Sequence, residues 1–148
     1  MNILCTNKKA TFKYSLLKKI EAGMNLHGWE VKSIKSGHAQ ISESYITIKN
    51  NEAYLVNAHL KVLATTSDPE RANSKRSRKL LLNKREILNL NNEVKQNGHA
   101  IIPIKMYVKN SLIKLEIAVG KGKKVHDKRA DIKNREWERA KNRVLKKK

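Results

Sequence analysis

The chain has 148 residues, with 33 Lys or Arg against 13 Asp or Glu, a formal charge of +20 and a pI near 10.2. This length predicts one domain with a modest core, and the charge predicts an anionic partner, nucleic acid rather than a membrane. The lack of a long apolar run or signal peptide argues against a membrane protein, and the single cysteine indicates the reducing cytoplasm, with no disulfide within the chain. We expect the protein to be a monomer.

The first third of the chain predicts strands. Phe12, Tyr14 and Leu16 alternate with polar residues, which indicates a half-buried strand. Residues 17–26 are ambiguous, because their apolar residues are closer to helical spacing. Residues 29–35 predict a second strand.

A hairpin is the clearest local feature. Residues 45–49 and 53–56 read as strands that flank Asn50 and Asn51, and asparagine tolerates the left-handed conformation of a tight turn. We expect strand character to continue as far as Val62.

The middle of the chain changes character. Residues 71–85 carry seven basic residues and no acid, and a solvated loop and a binding patch are equally good interpretations. A helix is predicted at about 84–97, with Asn83 and Glu86 as its capping pair and Gly98 as its stop.

Two more strands complete a body that we place at residues 1–120. Residues 100–109 predict a strand that is either at an edge or broken at Pro103. Residues 112–119 alternate cleanly, with Lys114 facing outward. Strands, a helix and two further strands predict a mainly β protein with helices, a small closed antiparallel barrel in the oligonucleotide-binding style.

Residues 121–148 form a basic tail. They contain 13 Lys or Arg against four acids, and too few apolar residues to bury a core. Such a segment is predicted to be disordered until it meets a polyanion, on which it becomes helical. Because the tail offers no core for Trp137 or His126, both are expected to stack on RNA bases or to dock on a partner.

Enzymatic chemistry has little support in the sequence. The five histidines are scattered without metal-ligand spacing, and residues 120–124 lack the spacing of a phosphate-binding loop and read as a flexible link. We therefore predict no catalytic residues, no metal and no cofactor.

Several motifs in a fixed order resemble the SsrA-binding protein family (small protein B) of bacterial trans-translation. They are Asn7-Lys8-Lys9-Ala10, Glu21-Ala22-Gly23-Met24, Leu26-His27-Gly28-Trp29-Glu30-Val31-Lys32-Ser33-Ile34, Ile41-Ser42 with Ser44-Tyr45, Glu52-Ala53-Tyr54-Leu55, Arg76-Ser77-Arg78-Lys79-Leu80-Leu81-Leu82, Gly120-Lys121-Gly122-Lys123-Lys124 with His126-Asp127-Lys128-Arg129, and Asp131-Ile132-Lys133 with Arg135-Glu136-Trp137.

The resemblance implies a protein that binds the tRNA-like domain of transfer-messenger RNA and delivers it to stalled ribosomes. It implies RNA-binding roles for Glu21, Leu81 and Lys114. The charge pattern adds further candidates for the same surface, namely Lys8, Lys9, Arg76, Arg78 and Lys79. Elongation factor Tu is implied as an indirect partner, through the charged RNA.

The resemblance also implies that the tail enters the empty messenger channel and the decoding centre of the small ribosomal subunit. His126 is expected to stack on ribosomal RNA there, and Lys133 and Trp137 to hold the tail helix. The full predicted set in the tail is Gly122, Lys123, Lys124, His126, Asp127, Lys128, Arg129, Lys133 and Trp137.

Two alternatives belong to other classes. A structural ribosomal protein, or a general RNA-binding translation protein, would share this composition, and the paired motifs around Trp29 and His126 are what distinguish it. An RNA-processing enzyme would need a carboxylate cluster, which the sequence does not display.

Overall fold

The computed structural model describes residues 2–64, 72–123, 135–137 and 139. In these residues the strands are β1 (Asn2–Thr6), β2 (Tyr14–Met24), β3 (Ala39–Gln40), β4 (Tyr45–Lys49), β5 (Glu52–Val56), β6 (His59–Leu60), β7 (Arg78–Leu81), β8 (Ala100–Lys109) and β9 (Leu112–Gly122). The helices of the body are α1 (Ala10–Lys13), α2 (Gly28–Lys35) and α3 (Lys84–Asn97).

Six strands close into an antiparallel barrel in the order β8, β4, β5, β7, β2, β9, and β9 returns to pair with β8. β4 pairs with the first residues of β8, where Ile46 is opposite Ile101. Further along β8, β1 pairs with the same edge, where Thr6 is opposite Lys105. The predicted mainly β barrel is confirmed. β1 has no counterpart among the predicted strands, because its residues are partly exposed and do not alternate.

The hairpin of β4 and β5 is confirmed. Lys49 is opposite Glu52, and the turn residues Asn50 and Asn51 have φ angles of 53° and 59°. Two consecutive positive φ values are what a two-residue turn between twisted strands requires. The strand beyond the hairpin is shorter than predicted, because β6 ends at Leu60.

The strand predicted at Phe12 is wrong, because Phe12 lies in α1 and β2 begins at Tyr14. β2 then runs through the stretch that the sequence left ambiguous. A register shift between Leu16 and Lys18 explains that ambiguity, since the extra residue interrupts the period of two and leaves Leu17 55% exposed.

The strand predicted at residues 29–35 is also wrong, because these residues belong to helix α2. Its buried residues are Glu30, Ser33 and Ile34, which is the spacing of one helix face and not of a strand. The Glu30 carboxylate accepts a hydrogen bond from the backbone N–H of His27 at 2.7 Å, which caps the helix start. The prediction failed because nothing in the local sequence shows that a glutamate at position 30 is buried.

The prediction for Pro103 is wrong in both of its forms, because β8 is a central strand that runs unbroken from Ala100 to Lys109 and accommodates the proline at a bulge. β8 has partners on both sides, and its register shifts between Pro103 and Lys105. Asn7 provides hydrogen-bond donors for two backbone carbonyls at this bulge. Its side-chain amide donates to the Pro103 carbonyl at 2.9 Å, and its backbone N–H donates to the Ile104 carbonyl at 2.7 Å. A proline is tolerated in a central strand at such a bulge.

The helix α3 matches its prediction at both ends. The Asn83 side chain accepts from the Glu86 N–H at 2.8 Å, and the Glu86 carboxylate accepts from the Asn83 N–H at 3.1 Å. Gly98 ends the helix with a φ of 65°. Leu90 is buried and Leu88 is 59% exposed, so a narrow stripe holds α3 on the barrel.

Strand β9 confirms the predicted alternation and supplies one wall of the core. Its inward side chains are all buried: Ile113, Leu115, Ile117 and Val119. Lys114 faces the other way and is half-exposed.

Two opposite charges are buried beside this apolar core. Arg78 and Glu30 are both fully buried, and the Arg78 Nε donates to a Glu30 carboxylate oxygen at 2.5 Å. The other Arg78 nitrogens donate to the backbone carbonyls of Ala58 at 3.0 Å, Arg76 at 2.9 Å and Ser74 at 3.1 Å. One side chain therefore joins α2, β7 and the segment that precedes β7.

Arg78 was wrongly included in the predicted RNA-binding set. Its charge and its place beside Lys79 made it a candidate for the surface. A guanidinium that is fully buried and bonded to Glu30 cannot contact an RNA.

The pKa of Glu30 is lowered from its ordinary value, although burial acts to raise it. The hydrogen bonds from Arg76 and the His27 amide, together with the charge and hydrogen bond of Arg78, outweigh the burial. The Arg76 contact is short, 2.5 Å from Nη2 to the Glu30 carboxylate. Glu30 is therefore ionised at neutral pH, and removing Arg78 would leave a buried charge undercompensated.

None of the helices in the described part of the chain has both the length and the apolar character needed to cross a bilayer. Within the same residues, no three His, Cys, Asp or Glu side chains are grouped closely enough to bind a metal ion.

We predict that Arg78→Met lowers the free energy of unfolding by about 3 to 5 kcal/mol, because it leaves Glu30 buried with reduced compensation. The matched control is Lys79→Met on the same strand. Lys79 pairs with Glu52 at 3.1 Å in a pair that is more than 40% exposed on both sides, so the loss should stay below about 1 kcal/mol. Urea denaturation measures both, and equal losses would contradict the prediction.

Candidate nucleic-acid interface

Three residues from neighbouring strands form a row across the outside of the barrel. Gly23 of β2 is opposite Leu81 of β7 on one side and Lys114 of β9 on the other. Residues that pair across antiparallel strands point to the same face, so these three lie side by side. We refer to Leu81, Gly23 and Lys114 as the outer row. The barrel thus brings together two residues, Leu81 and Lys114, that the resemblance singles out.

The outer row needs a glycine at its centre. A Cβ atom added to Gly23 would lie 3.1 Å from the Leu81 Cβ and 3.4 Å from its Cδ1, closer than ordinary packing allows. Without that atom, the Leu81 side chain lies over the backbone of β2 while remaining 57% exposed. The result is a small apolar surface suited to packing on a ribose or a base.

Glu21, the third residue of the resemblance, lies two positions from Gly23 on the same face. It is directly opposite Glu116 of β9, an unfavourable pairing of like charges. Lysines offset it: Lys109 Nζ is 3.1 Å from a Glu21 oxygen, and Lys105 and Lys19 lie 3.8 Å and 4.0 Å from Glu116. Both carboxylates on this side of the row are therefore paired with lysines.

Lys114 stands apart from those lysines. Among the described residues it has no carboxylate partner, so its ammonium is available to a phosphate. Tyr107 of β8 is opposite Lys114 and is 4% exposed. Burial, followed by the charge of Glu21, raises the pKa of Tyr107 to about 12, so its phenol stays protonated.

The sequence prediction of the site did not include Tyr107. It lies beside Lys114 on a fourth strand, where an exposure of 4% lets it support the outer row but not contact an RNA. The Lys105 ammonium lies 5.8 Å from the centre of its ring. The signal that could have found it is the pairing of β8 with β9, because that register places Tyr107 beside Lys114.

Strand β7 adds basic groups to this face. Lys79 alternates with the buried Arg78 and therefore points outward like Leu81, with its ammonium 3.1 Å from Glu52. Arg76 precedes the strand and is largely engaged, because its Nη2 donates to Glu30 and to the Asn25 carbonyl at 3.2 Å. Lys79 is the more accessible of the two cations.

The structure places Lys8 and Lys9 elsewhere. They precede α1, and the strand pairings that make the outer row do not include them. Lys8 is exposed, while the Lys9 ammonium is 2.7 Å from one oxygen of Glu43 and Lys13 lies 3.8 Å from the other.

The tail is described at a few positions. Gly122 ends β9 opposite Tyr14, and the Lys123 N–H donates to the Lys13 carbonyl at 3.0 Å. Residues 135–137 and 139 are helical, with Trp137 72% exposed. The predicted tail residues Lys124, His126, Asp127, Lys128, Arg129 and Lys133 lie outside the described residues.

Comparisons with known proteins identify relatives of this chain. The family model for SmpB protein matches residues 4–147. The SsrA-binding protein of Psychrobacter cryohalolentis is 49% identical over 146 residues, 99% of this chain and 92% of the relative. That of Coxiella burnetii is 48% identical over 143 residues, 97% of this chain and 90% of the relative.

A solved structure is similar as well. It is described as "tmRNA-SmpB: a journey to the center of the bacterial ribosome", and one of its chains matches with a TM-score of 0.66 and 33% identity. The match covers 84% of this chain and 87% of the other.

We predict that two substitutions in the outer row weaken RNA binding in different ways. Lys114→Ala should reduce the slope of log affinity against log salt by about 1, because it removes one cation that neutralises a phosphate. Leu81→Ala should cost about 1 to 2 kcal/mol of binding and leave the slope unchanged, because it removes apolar surface and no charge.

The measurement is a salt titration of affinity for an RNA with a tRNA-like end. The control is Lys49→Ala, an exposed lysine next to the turn of the β4–β5 hairpin. A changed slope with Leu81→Ala, or an unchanged slope with Lys114→Ala, would refute this assignment of roles.

Proposed function

The chain belongs to the SmpB family of SsrA-binding proteins, and on that premise we propose that it binds the tRNA-like domain of transfer-messenger RNA and delivers it to stalled ribosomes. The observation that carries the proposal is the extent of the family match, residues 4–147, which includes both the barrel and the basic tail. A match to the barrel alone would support RNA binding and leave the role on the ribosome without support.

We assign the outer row to the tRNA-like RNA. Its exposed Leu81, its Lys114, which has no carboxylate partner in the described part of the chain, and the neighbouring Lys79 offer an apolar contact flanked by two cations. Contacts with the riboses and phosphates of a structured RNA depend on its shape more than on its base sequence. Glu21, held by Lys109, can accept a hydrogen bond from a ribose hydroxyl or a base amino group.

The basic tail is assigned to the ribosome. It carries a net +9 with few apolar residues, so an anionic RNA channel would order it where water would not. In this proposal the tail enters the messenger channel when no message fills it, His126 stacks on ribosomal RNA at the decoding centre, and Trp137 and Lys133 hold the helix. A channel filled by message would exclude it sterically.

The proposed role is binding and not catalysis. The protein acts as a cytoplasmic monomer that presents one RNA to another, and elongation factor Tu joins through the charged end of the transfer-messenger RNA. No chemical step is assigned to the protein itself.

The RNA that stays bound when the full-length protein is purified from its own cells, at roughly physiological salt, tests this function. We expect one dominant RNA with a tRNA-like end and an internal reading frame. Ribosomal RNAs in fixed proportion would instead support a structural ribosomal protein and would overturn the proposal. Low salt must be avoided, because a chain of charge +20 then binds almost any RNA.

A second prediction separates the two parts of the chain. Ending the chain after Gly122, where β9 ends, should leave binding to the tRNA-like RNA within about threefold at roughly physiological salt, because the outer row is intact. Tagging of incomplete proteins on ribosomes should be abolished. Reconstituted translation on a message without a stop codon measures this, and full tagging by the shortened chain would contradict the assignment of the tail.

A further inference from the structure

A cleft of about 470 Å³ lies on a different part of the barrel from the outer row. Its walls come from α1, from the segment before β4, and from the end of α3 with the start of β8. Its volume is within the range of small-ligand sites, about 300 to 1,000 Å³. The lining residues used below are Lys9, Lys13, Tyr14, Ser42, Glu43 and Tyr45.

The cleft combines an aromatic ring with cations. Tyr45 is 48% exposed although it begins a barrel strand, so its ring is available to a ligand. Tyr14 forms another wall, and its ring carbons lie within 3.1 Å of the place where a Cβ on Gly120 would be, so that glycine is what lets Tyr14 lie flat on β9. In many RNA-binding sites an exposed aromatic ring stacks on a nucleobase while a neighbouring lysine binds the adjacent phosphate.

The carboxylate of Glu43, which also lines the cleft, indicates which nucleobase the cleft would bind. Lys9 and Lys13 hold the Glu43 carboxylate at 2.7 Å and 3.8 Å, and its side chain is still 58% exposed. The hydrogen bond from Lys9, followed by the charge of Lys13, lowers the pKa of Glu43, so it is an ionised acceptor. A carboxylate offers about four acceptor positions, and the two lysines leave some of them open.

The backbone that carries Glu43 is fixed as well. The Ser44 hydroxyl and N–H both donate to the Ile41 carbonyl, at 2.6 Å and 3.2 Å. The Asn57 side chain donates to the Glu43 carbonyl at 3.1 Å, from a residue with a φ of 65°. The acceptor is therefore presented by a braced turn and not by a free loop.

We propose that this cleft binds an unstacked guanine of a single-stranded RNA segment. The base stacks on Tyr45 and gives its two adjacent Watson–Crick donors, the ring N–H and the exocyclic amino group, to Glu43. The flanking phosphates lie on Lys9 and Lys13. Adenine presents one donor on that edge and uracil one, so guanine makes the best match to two carboxylate oxygens.

An RNA is favoured over a free nucleotide because the cleft is open at the surface of a chain with charge +20. The site gives Lys9 a role in RNA binding that differs from contact with the outer row. It does not depend on the proposed function, since the cleft and the outer row share no residues.

The test uses the full-length protein with short single-stranded oligouridines that carry one central guanosine or one central adenosine, at about 0.2 M salt to suppress generic binding. We expect the guanosine oligonucleotide to bind several-fold more tightly. Tyr45→Ala should weaken its binding about 5- to 150-fold, the range for loss of one stacked base, whereas Tyr45→Phe, which keeps the ring, should bind like the wild type.

Glu43→Gln should remove the preference for guanosine while leaving adenosine binding unchanged within about twofold. The matched control is Glu52→Gln, another exposed glutamate in a lysine pair, which should leave the preference intact. Equal affinity for the two oligonucleotides in the wild type, or equal effects of Glu43→Gln and Glu52→Gln, overturns the proposal. Displacement of the RNA by micromolar GMP would also overturn it, because the ligand would then be a free nucleotide.

Failure of this site is distinguishable from failure of the proposed function. Salt titration of the outer-row variants and identification of the bound RNA decide the latter, and neither depends on Tyr45 or Glu43. Thermal unfolding of each variant accompanies the binding measurements. If Tyr45→Ala did not fold, the comparison of Glu43→Gln with Glu52→Gln would still decide.

Discussion

The buried pair of Arg78 and Glu30 determines how strand β7 sits in the barrel. β7 is four residues long and pairs with β2 at two positions and with β5 at two. Backbone pairing of that length specifies register weakly, and a slip of one residue would turn every side chain to the opposite face. Arg78 prevents the slip, because its guanidinium reaches Glu30 of α2 and three backbone carbonyls in one geometry.

The orientation of the outer row, which we propose as the RNA-binding surface, follows from that register. With Arg78 held inside, Lys79 and Leu81 must point outward, and Leu81 meets Gly23 of β2. A buried ion pair is weak support for stability, because the desolvation of two charges offsets much of their attraction. Its value here lies in specificity, since an apolar side chain at position 78 would fill the core without fixing which face Leu81 takes.

How far the sequence could predict this arrangement depended on how local the determining interactions are. The β4–β5 hairpin, α3 and β9 were predictable, because Asn50, the Asn83–Glu86 cap and the alternation around Lys114 each act within a few residues. α2 was not, because the partners that make Glu30 a buried residue, Arg76 and Arg78, are more than 40 residues away. Local patterns cannot show that a charge has a distant partner.

The same limit applied to the candidate site. The resemblance supplied Glu21, Leu81 and Lys114, yet only strand pairing shows that Leu81 and Lys114 flank one glycine. Tyr107 joins them through the register of β8 with β9, which the bulge beside Pro103 shifts by one residue. Arg78 was assigned to the RNA-binding surface on its charge alone, and this assignment was wrong. The sequence does not distinguish a basic residue that contacts RNA from one that is buried in the core.

In the proposed role, the two parts of the chain bind different RNAs by different physical means. On the outer face of the barrel most lysines are already paired with carboxylates. Few of them can therefore neutralise RNA phosphates and release the counterions bound there, so the shape of the RNA has more influence on binding. The tail has the reverse character, a net +9 with little apolar surface, and can supply strong attraction to any RNA. Attraction of that kind distinguishes partners only when geometry limits where the tail can go. In the proposed role, a barrel that positions one RNA is joined to a tail that a narrow channel either admits or excludes. Such a protein would obtain its selectivity from two components that would each be insufficient alone.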